Sequence, residues 1–333
     1  MKKMAWILPL LSGAMWGGSG VFIRRLTEFG MDNSTILFSR AAIAAVLILA
    51  AMLIWNRSWL IVKEKDIWLL AACGLLGMLG MSLCYNEAVN RLPLSLAAVL
   101  MGLTPAFVMV MAAVFFKEKI TGRKVICMAL ALLGCALASG IMEGQETFGV
   151  SADGILAGLV TAFFYALYSI LSKMAAERGY HTYTIIFYSM LSIAVVLLPF
   201  SDLNMIADFV REDPLADGGF MISQALCTSM LPYMLYTVAL LFLEAGRVSI
   251  LASGAEPVAA VCFGILFYRE MPSWLTILGV AVTITALTLL CTKTEKTKRE
   301  EKERNRHDER RTGTGSDRQT EKGVSGRGMY PGL

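Results

Sequence analysis

Residues 104–118 read TPAFVMVMAAVFFKE, and residues 256–270 read EPVAAVCFGILFYRE. In each stretch a proline stands 13 positions before a closing glutamate, Pro105 before Glu118 and Pro257 before Glu270, and the copies lie 152 residues apart. Each proline falls near the middle of an apolar run of the length that crosses the roughly 30 Å hydrocarbon core of a bilayer as a helix. The chain therefore reads as a duplication with one special membrane helix in each half.

Composition agrees. The chain is 56% hydrophobic and 17% charged, with mean hydropathy +0.61, which excludes an ordinary soluble globular protein of 333 residues. From Lys293 to Leu333 there are 12 Lys/Arg and 8 Asp/Glu, so the whole net charge of +4 belongs to that stretch. Residues 1–292 balance to zero, and nothing in the charge points to a nucleic-acid partner. Residues 293–333 are too polar to offset their ordering entropy by burial and read as a disordered cytoplasmic tail. The seven cysteines (Cys73, Cys84, Cys127, Cys135, Cys227, Cys262 and Cys291) sit in or beside apolar segments without a C-x-x-C pair. With His181 and His307 as the two histidines, buried inert thiols are expected, and neither metal nor cofactor is.

Ten apolar segments of about 17–25 residues are long enough to span. They fall at 4–23, 34–55, 67–86, 94–116, 122–141, 153–171, 183–201, 219–242, 248–268 and 274–292. The longest connection, 202–218, is acidic. An N-terminus inside places 12 Lys/Arg on the inner side before the tail is counted, against five on the outer, so both termini are expected in the cytoplasm. Five spans per half force the second half to enter the membrane inverted. The expected organisation is a first five-helix repeat at 1–142, an inverted second repeat at 143–292 and the tail at 293–333.

The chain resembles the drug/metabolite transporter superfamily, and within it the EamA-type carriers. The resemblance is carried by Trp16-Gly17 in the first helix, Arg40 early in the second, and Leu103-Thr104-Pro105-Ala106 leading to Lys117-Glu118. Glu256-Pro257-Val258-Ala259-Ala260 leading to Arg269-Glu270 supplies the second half. It implies an all-α, multi-pass carrier of the cell membrane, often an exporter of small organic metabolites, with a cavity opening alternately to each side. Glu87 departs from the small or apolar residue usual there, and the tail is not part of the shared unit.

The candidate residues follow from what a bilayer tolerates. Proline inside a helix strips a partner from the carbonyl four residues earlier, here Met101 and Ser253. Thr104, Pro105, Glu256 and Pro257 are therefore expected on the walls of the pathway, on two kinked helices. Glu256, near mid-bilayer, either binds a cation or amine, takes up a coupling proton, or is a protonated carboxyl held by backbone. Trp16, Tyr165, Tyr168 and Tyr236 are candidate cavity aromatics, with Tyr188, Tyr233 and Gln224 as further polar groups; packing is the competing role for each. Arg40 and Glu87 should share the outer third of the membrane, either as a salt-bridged outer gate or as two side chains reaching separately for the interface. Glu118 and Glu270 are expected at helix ends in structural roles, capping the next helix or pairing with loop cations at the interface. Gly154-x-x-x-Gly158 and Gly17, Gly18, Gly20, Gly74, Gly77 and Gly80 fit close helix contact.

No P-loop, nucleophile elbow or metal-ligand cluster is visible, which argues against an enzyme or an ATPase. A non-transporting receptor or scaffold on the same fold is the competing class. Glu256 favours an amine and Arg40 a carboxylate, so an amino acid or other zwitterion suits both. The expected partners are a small-molecule substrate, the lipid bilayer and a coupling proton or cation.

Overall fold

The computed structural model describes residues 5–92, 94–138, 151–269 and 272–290. The expected repeat boundary at 142–143, Glu270 and the tail 293–333 lie outside them. The chain divides into two units, Met1–Thr288 and Leu289–Leu333, and the account below concerns the first.

Every described element is helical. Seven helices are long and apolar enough to cross a membrane: Asn33–Trp55, Glu64–Ala88, Ala97–Phe116, Ala152–Glu177, Thr182–Phe200, Ala216–Phe242 and Ala245–Phe267. In finer division these are α3 (Asn33–Trp55), α4 (Ile67–Ala72) and α5 (Met81–Arg91), then α6 (Leu94–Met101) and α7 (Thr104–Phe116). The second half has α9 (Ala152–Glu177), α10 (Thr182–Leu197), α12 (Ala216–Gln224), α13 (Leu231–Phe242) and α14 (Ala245–Tyr268). Shorter helices fall on the other expected spans: α1 (Ile7–Gly17) with α2 (Ser19–Glu28), α8 (Gly122–Ala138), and the apolar α15 (Trp274–Leu290). Large apolar side chains such as Val46, Val114 and Leu266 point outward, as lipid-facing residues do.

Two expectations need correction. The first span is broken: α1 stops at Gly17 and α2 starts at Ser19, where Gly17, Gly18 and Gly20 supply little helix propensity. The span 94–116 is likewise two helices interrupted at Gly102–Leu103, so Pro105 opens α7 and does not kink a continuous helix. Pro257, by contrast, stays inside α14. Both prolines follow a Gly-x-x pattern, Gly102-Leu103-Thr104 and Gly254-Ala255-Glu256. Ala and Glu hold a helix, whereas threonine competes by bonding backbone locally. The Thr104 hydroxyl indeed donates to the Met101 carbonyl at 2.6 Å, the acceptor that Pro105 leaves without its amide. The connection 202–218 is partly helical. It holds the amphipathic helix α11 (Leu203–Glu212), whose Phe209 packs with Leu26, Met31, Ile36 and Met221, while Asp217 pairs with Arg25 at 2.8 Å.

Structural irregularities recur at one spacing. π-helical segments begin at Cys73 and at Ala225, 152 residues apart like the two prolines. The two non-glycine residues with left-handed backbone, Lys117 (φ 55°) and Arg269 (φ 53°), end α7 and α14 at the same spacing.

The bundle closes on α9, which packs on α5, α6, α7 and α13, and on the pair α1–α14. That pair touches backbone to backbone: a Cβ on Gly13 would strike the Ala252 carbonyl, and one on Gly17 the Glu256 carbonyl. Gly154 and Gly158 are met by Leu92 and Leu100, and Gly77 by Tyr168. Replacing Gly17 with valine should therefore cost roughly 2 kcal/mol by overpacking and lower the thermal unfolding midpoint in detergent. Gly20→Ala, at a position with open space around it, should leave the midpoint unchanged. Equal behaviour of the two variants would refute this packing account.

Candidate functional site

A cavity of about 440 Å³ opens among α1, α2, α3, α5, α9, α13 and α14, within the usual range for small-molecule sites of roughly 300–1,000 Å³. Arg24 and Asn33 line it at the end that the charge count assigns to the outside, and Glu256 lines it in mid-bundle. Glu256 lies about 16 Å along α14 from its first residue, and Arg40 about 10 Å along α3. Both are half-buried, and neither has an ion-pair or hydrogen-bond partner among the described residues. A carboxyl and a guanidinium, each without a partner among the described residues, thus border the same space.

Helix interruptions sit where this space is. Trp16, Ser19, Gly20 and Ile23 flank the break at Gly18 and line the cavity; Met101, at the second break, lines it too. Non-helical backbone at membrane depth is tolerated where it is buried in protein or borders a wet cavity. A second, smaller pocket of about 250 Å³ adjoins the first and is lined by Ser253, Glu256 and Pro257 of α14. The Ser253 carbonyl is the one that Pro257 deprives of a helical partner.

The expected aromatics divide. Trp16 and Tyr165 line the cavity, their rings edge to face at 5.8 Å, and Tyr233, 4.9 Å from Trp16, lines it as well. Tyr236 and Tyr168 lie beneath, fully buried: Tyr236 meets Ser169 at 2.7 Å and Tyr168 meets Thr237 at 2.9 Å, hydroxyl to hydroxyl. Thr104 and Pro105 are also packed away from the cavity. Tyr188 donates to the Leu60 carbonyl at 2.8 Å, and Gln224 is buried with its amide unpartnered.

Arg40 and Glu87 are not brought together. Glu87 is taken by Arg91 one turn on, and Arg91 also reaches Asp153 at 3.2 Å. The i,i+4 spacing made that local pairing available without moving any helix. Asn86, beside Glu87 in sequence, is the side chain that reaches the cavity.

The opposite end of the bundle is tied by charge. Glu118, with its side chain 8% exposed, accepts from Lys173 at 2.5 Å and from the Ala245 amide at 2.8 Å. It thereby caps α14, whose own N-cap residue, Glu244, makes no side-chain cap and whose positive dipole end favours a carboxylate. Lys124, 4% exposed, lies 3.9 Å from Glu118 and 3.0 Å from Glu244. Glu118 thus meets the first amide of a helix 127 residues away, not of the next one. Lys124 and Lys173 were legible only as positive charges at span ends; no local pattern marks them as partners of Glu118.

The long apolar helices mark a multi-pass membrane protein, and the similarity to known transporters makes it a transporter, not an enzyme. The EamA-like transporter family matches residues 3–140 and again 152–292, and the chain belongs to that family. The pseudopaline exporter CntI of Pseudomonas aeruginosa UCBPP-PA14 is 27% identical over 266 residues, covering 79% of this chain and 88% of CntI. A Streptantibioticus cattleyicolor protein named "Probable terminal-alkyne amino-acid exporter" is 25% identical, over 88% of this chain and 95% of its own. One solved crystal structure aligns with a TM-score of 0.67 at 16% identity, over 86% of this chain and 95% of that one, a likeness of fold alone.

Glu118→Ala strands a buried lysine and two helix-end amides, and should cost about 3 kcal/mol of stability. Thermal unfolding in detergent should place the double variant Glu118→Ala/Lys173→Met above Glu118→Ala alone. A double variant less stable than the single would contradict the pairing.

Proposed function

We propose that the chain is a secondary exporter of small zwitterionic metabolites, amino acids among them, working by alternating access in the plasma membrane. The observation that carries the reading is the pairing of Arg40 and Glu256, opposite charges without protein partners, on one cavity inside an apolar bundle. An isolated charge there costs at least a few kcal/mol. A ligand bringing its own carboxylate to Arg40 and its own ammonium to Glu256 relieves both costs at once. When no ligand is present, protonation of Glu256 serves the same end, which makes it the coupling-proton site of this proposal.

Ten spans in an inverted five-plus-five repeat, with both termini in the cytoplasm, are the architecture proposed with it. The recurrence of prolines, π segments and left-handed helix ends at 152 residues supports the duplication. The double family match supports it too. In that orientation the described cavity faces outward, and the Glu118–Lys173–Lys124 cluster closes the cytoplasmic end. Export as the direction draws on the exporter names of the two relatives.

Purified protein in liposomes tests the reading. Labelled amino acids should exchange across the membrane, faster with an imposed pH gradient. Glu256→Gln should abolish the response to that gradient. Arg40→Gln should lower transport efficiency by about tenfold or more, the loss of one charge-assisted contact. Ligand binding without flux would instead mark a receptor, and sink the carrier reading.

A further inference from the structure

The smaller pocket differs in chemistry from the main cavity. Tyr85, Met101, Tyr165 and Glu256 line both, so the two spaces meet at that group. Beyond the junction the main cavity turns polar and charged, with Asn33, Arg40 and Asn86. The smaller pocket turns apolar: Ala98, Gly102, Cys135, Ala138, Ala260 and Val261 form its remaining wall apart from Ser253 and Pro257. Its space exists because those walls carry small side chains, and because the chain breaks at Gly102 instead of continuing as helix. Glu256 is the one carboxylate at the joint between a polar chamber and an apolar one.

We infer that the pocket around Ala260 and Gly102 receives the apolar side chain of the substrate, and so selects zwitterions bearing a bulky hydrophobic group. The inference rests on the zwitterion reading of the main cavity. With an ammonium at Glu256 and a carboxylate toward Arg40, the remainder of the molecule has the apolar pocket beside it. An apolar cavity of about 150 Å³ holds a benzene molecule, and this pocket is about 250 Å³. It therefore has room for a branched or aromatic side chain, and leaves a glycine or alanine with most of the space unfilled. Ala260 is exposed, so the pocket also reaches the outer face of the bundle, where a lipid tail is the rival occupant. A tail there would set methylene groups against the unpaired Glu256 carboxylate. A substrate ammonium gives that carboxylate a partner.

Liposomes holding the full chain, tested with labelled alanine, leucine, phenylalanine and tryptophan, decide the matter. Wild type should favour the larger three. Ala260→Leu, which fills the pocket from its exposed side, should lower phenylalanine efficiency by about tenfold or more while moving alanine by less than about twofold. Val261→Ala, which enlarges the pocket without adding atoms, should raise the tryptophan-to-alanine ratio and keeps the test open if Ala260→Leu does not fold. Equal effects on alanine and phenylalanine, or none on either, would overturn the inference and leave the carrier reading standing. A change in co-purified lipid with unchanged selectivity would assign the pocket to a lipid tail and overturn it as well. Absence of flux for all four amino acids would overturn the zwitterion reading, and this inference with it.

Discussion

The interior of a bilayer offers no partner to a bare carbonyl or a lone charge, and the architecture of this chain follows from that scarcity. The irregularities at the two prolines and at Gly18, and the buried charges, are either satisfied from within or set against a cavity. The carbonyl released by Pro105 is taken by the Thr104 hydroxyl. The one released by Pro257 belongs to Ser253, on a pocket wall. The break at Gly18 opens onto the main cavity. Glu118 and Lys173 neutralise each other where they are buried, whereas Arg40 and Glu256 are left to the cavity.

This constraint also explains which features were legible in the sequence. Seven of the expected spans came through as membrane-length helices because apolar length is a local property. Glu256 stood out because a carboxylate amid apolar residues is costly wherever its helix points, and the structure sets it on the cavity. Trp16 and Tyr165 came through as part of a pattern, although Tyr168 and Tyr236, read by the same logic, prove to be packing. Rotation of a helix about its axis decides between those fates, and a single sequence does not carry it. The Arg40–Glu87 pairing failed for a related reason. The closer partner of Glu87 is Arg91 on its own helix.

The two proline segments show how duplication and divergence coexist. Thr104 and Glu256 occupy corresponding positions at the 152-residue spacing. One is buried and repairs backbone; the other faces two pockets and has no partner. The same exchange of residue type changes the helix itself, since the threonine copy breaks and the glutamate copy runs through. A small chemical difference at corresponding positions therefore accompanies a difference in both helix continuity and charge.

The charged cluster at Glu118 is suited to a contact that must open in the proposed cycle. Deleting one buried partner is costly because the other is stranded, yet separating both into water is much cheaper, since hydration replaces what the pair loses. A hydrophobic seal of similar area has no such compensation: its exposure costs roughly 25 cal/mol for every Å². A substrate can shift the balance between two states only by its difference in affinity for them, and about 1.4 kcal/mol of that difference is needed per factor of ten in population. A closure built from Glu118, Lys124 and Lys173 keeps that requirement small. It also ties the start of α14, the helix that carries Glu256, to the end of α9, the helix that carries Tyr165. Opening of that cluster thus loosens the ends of two helices that line the cavity.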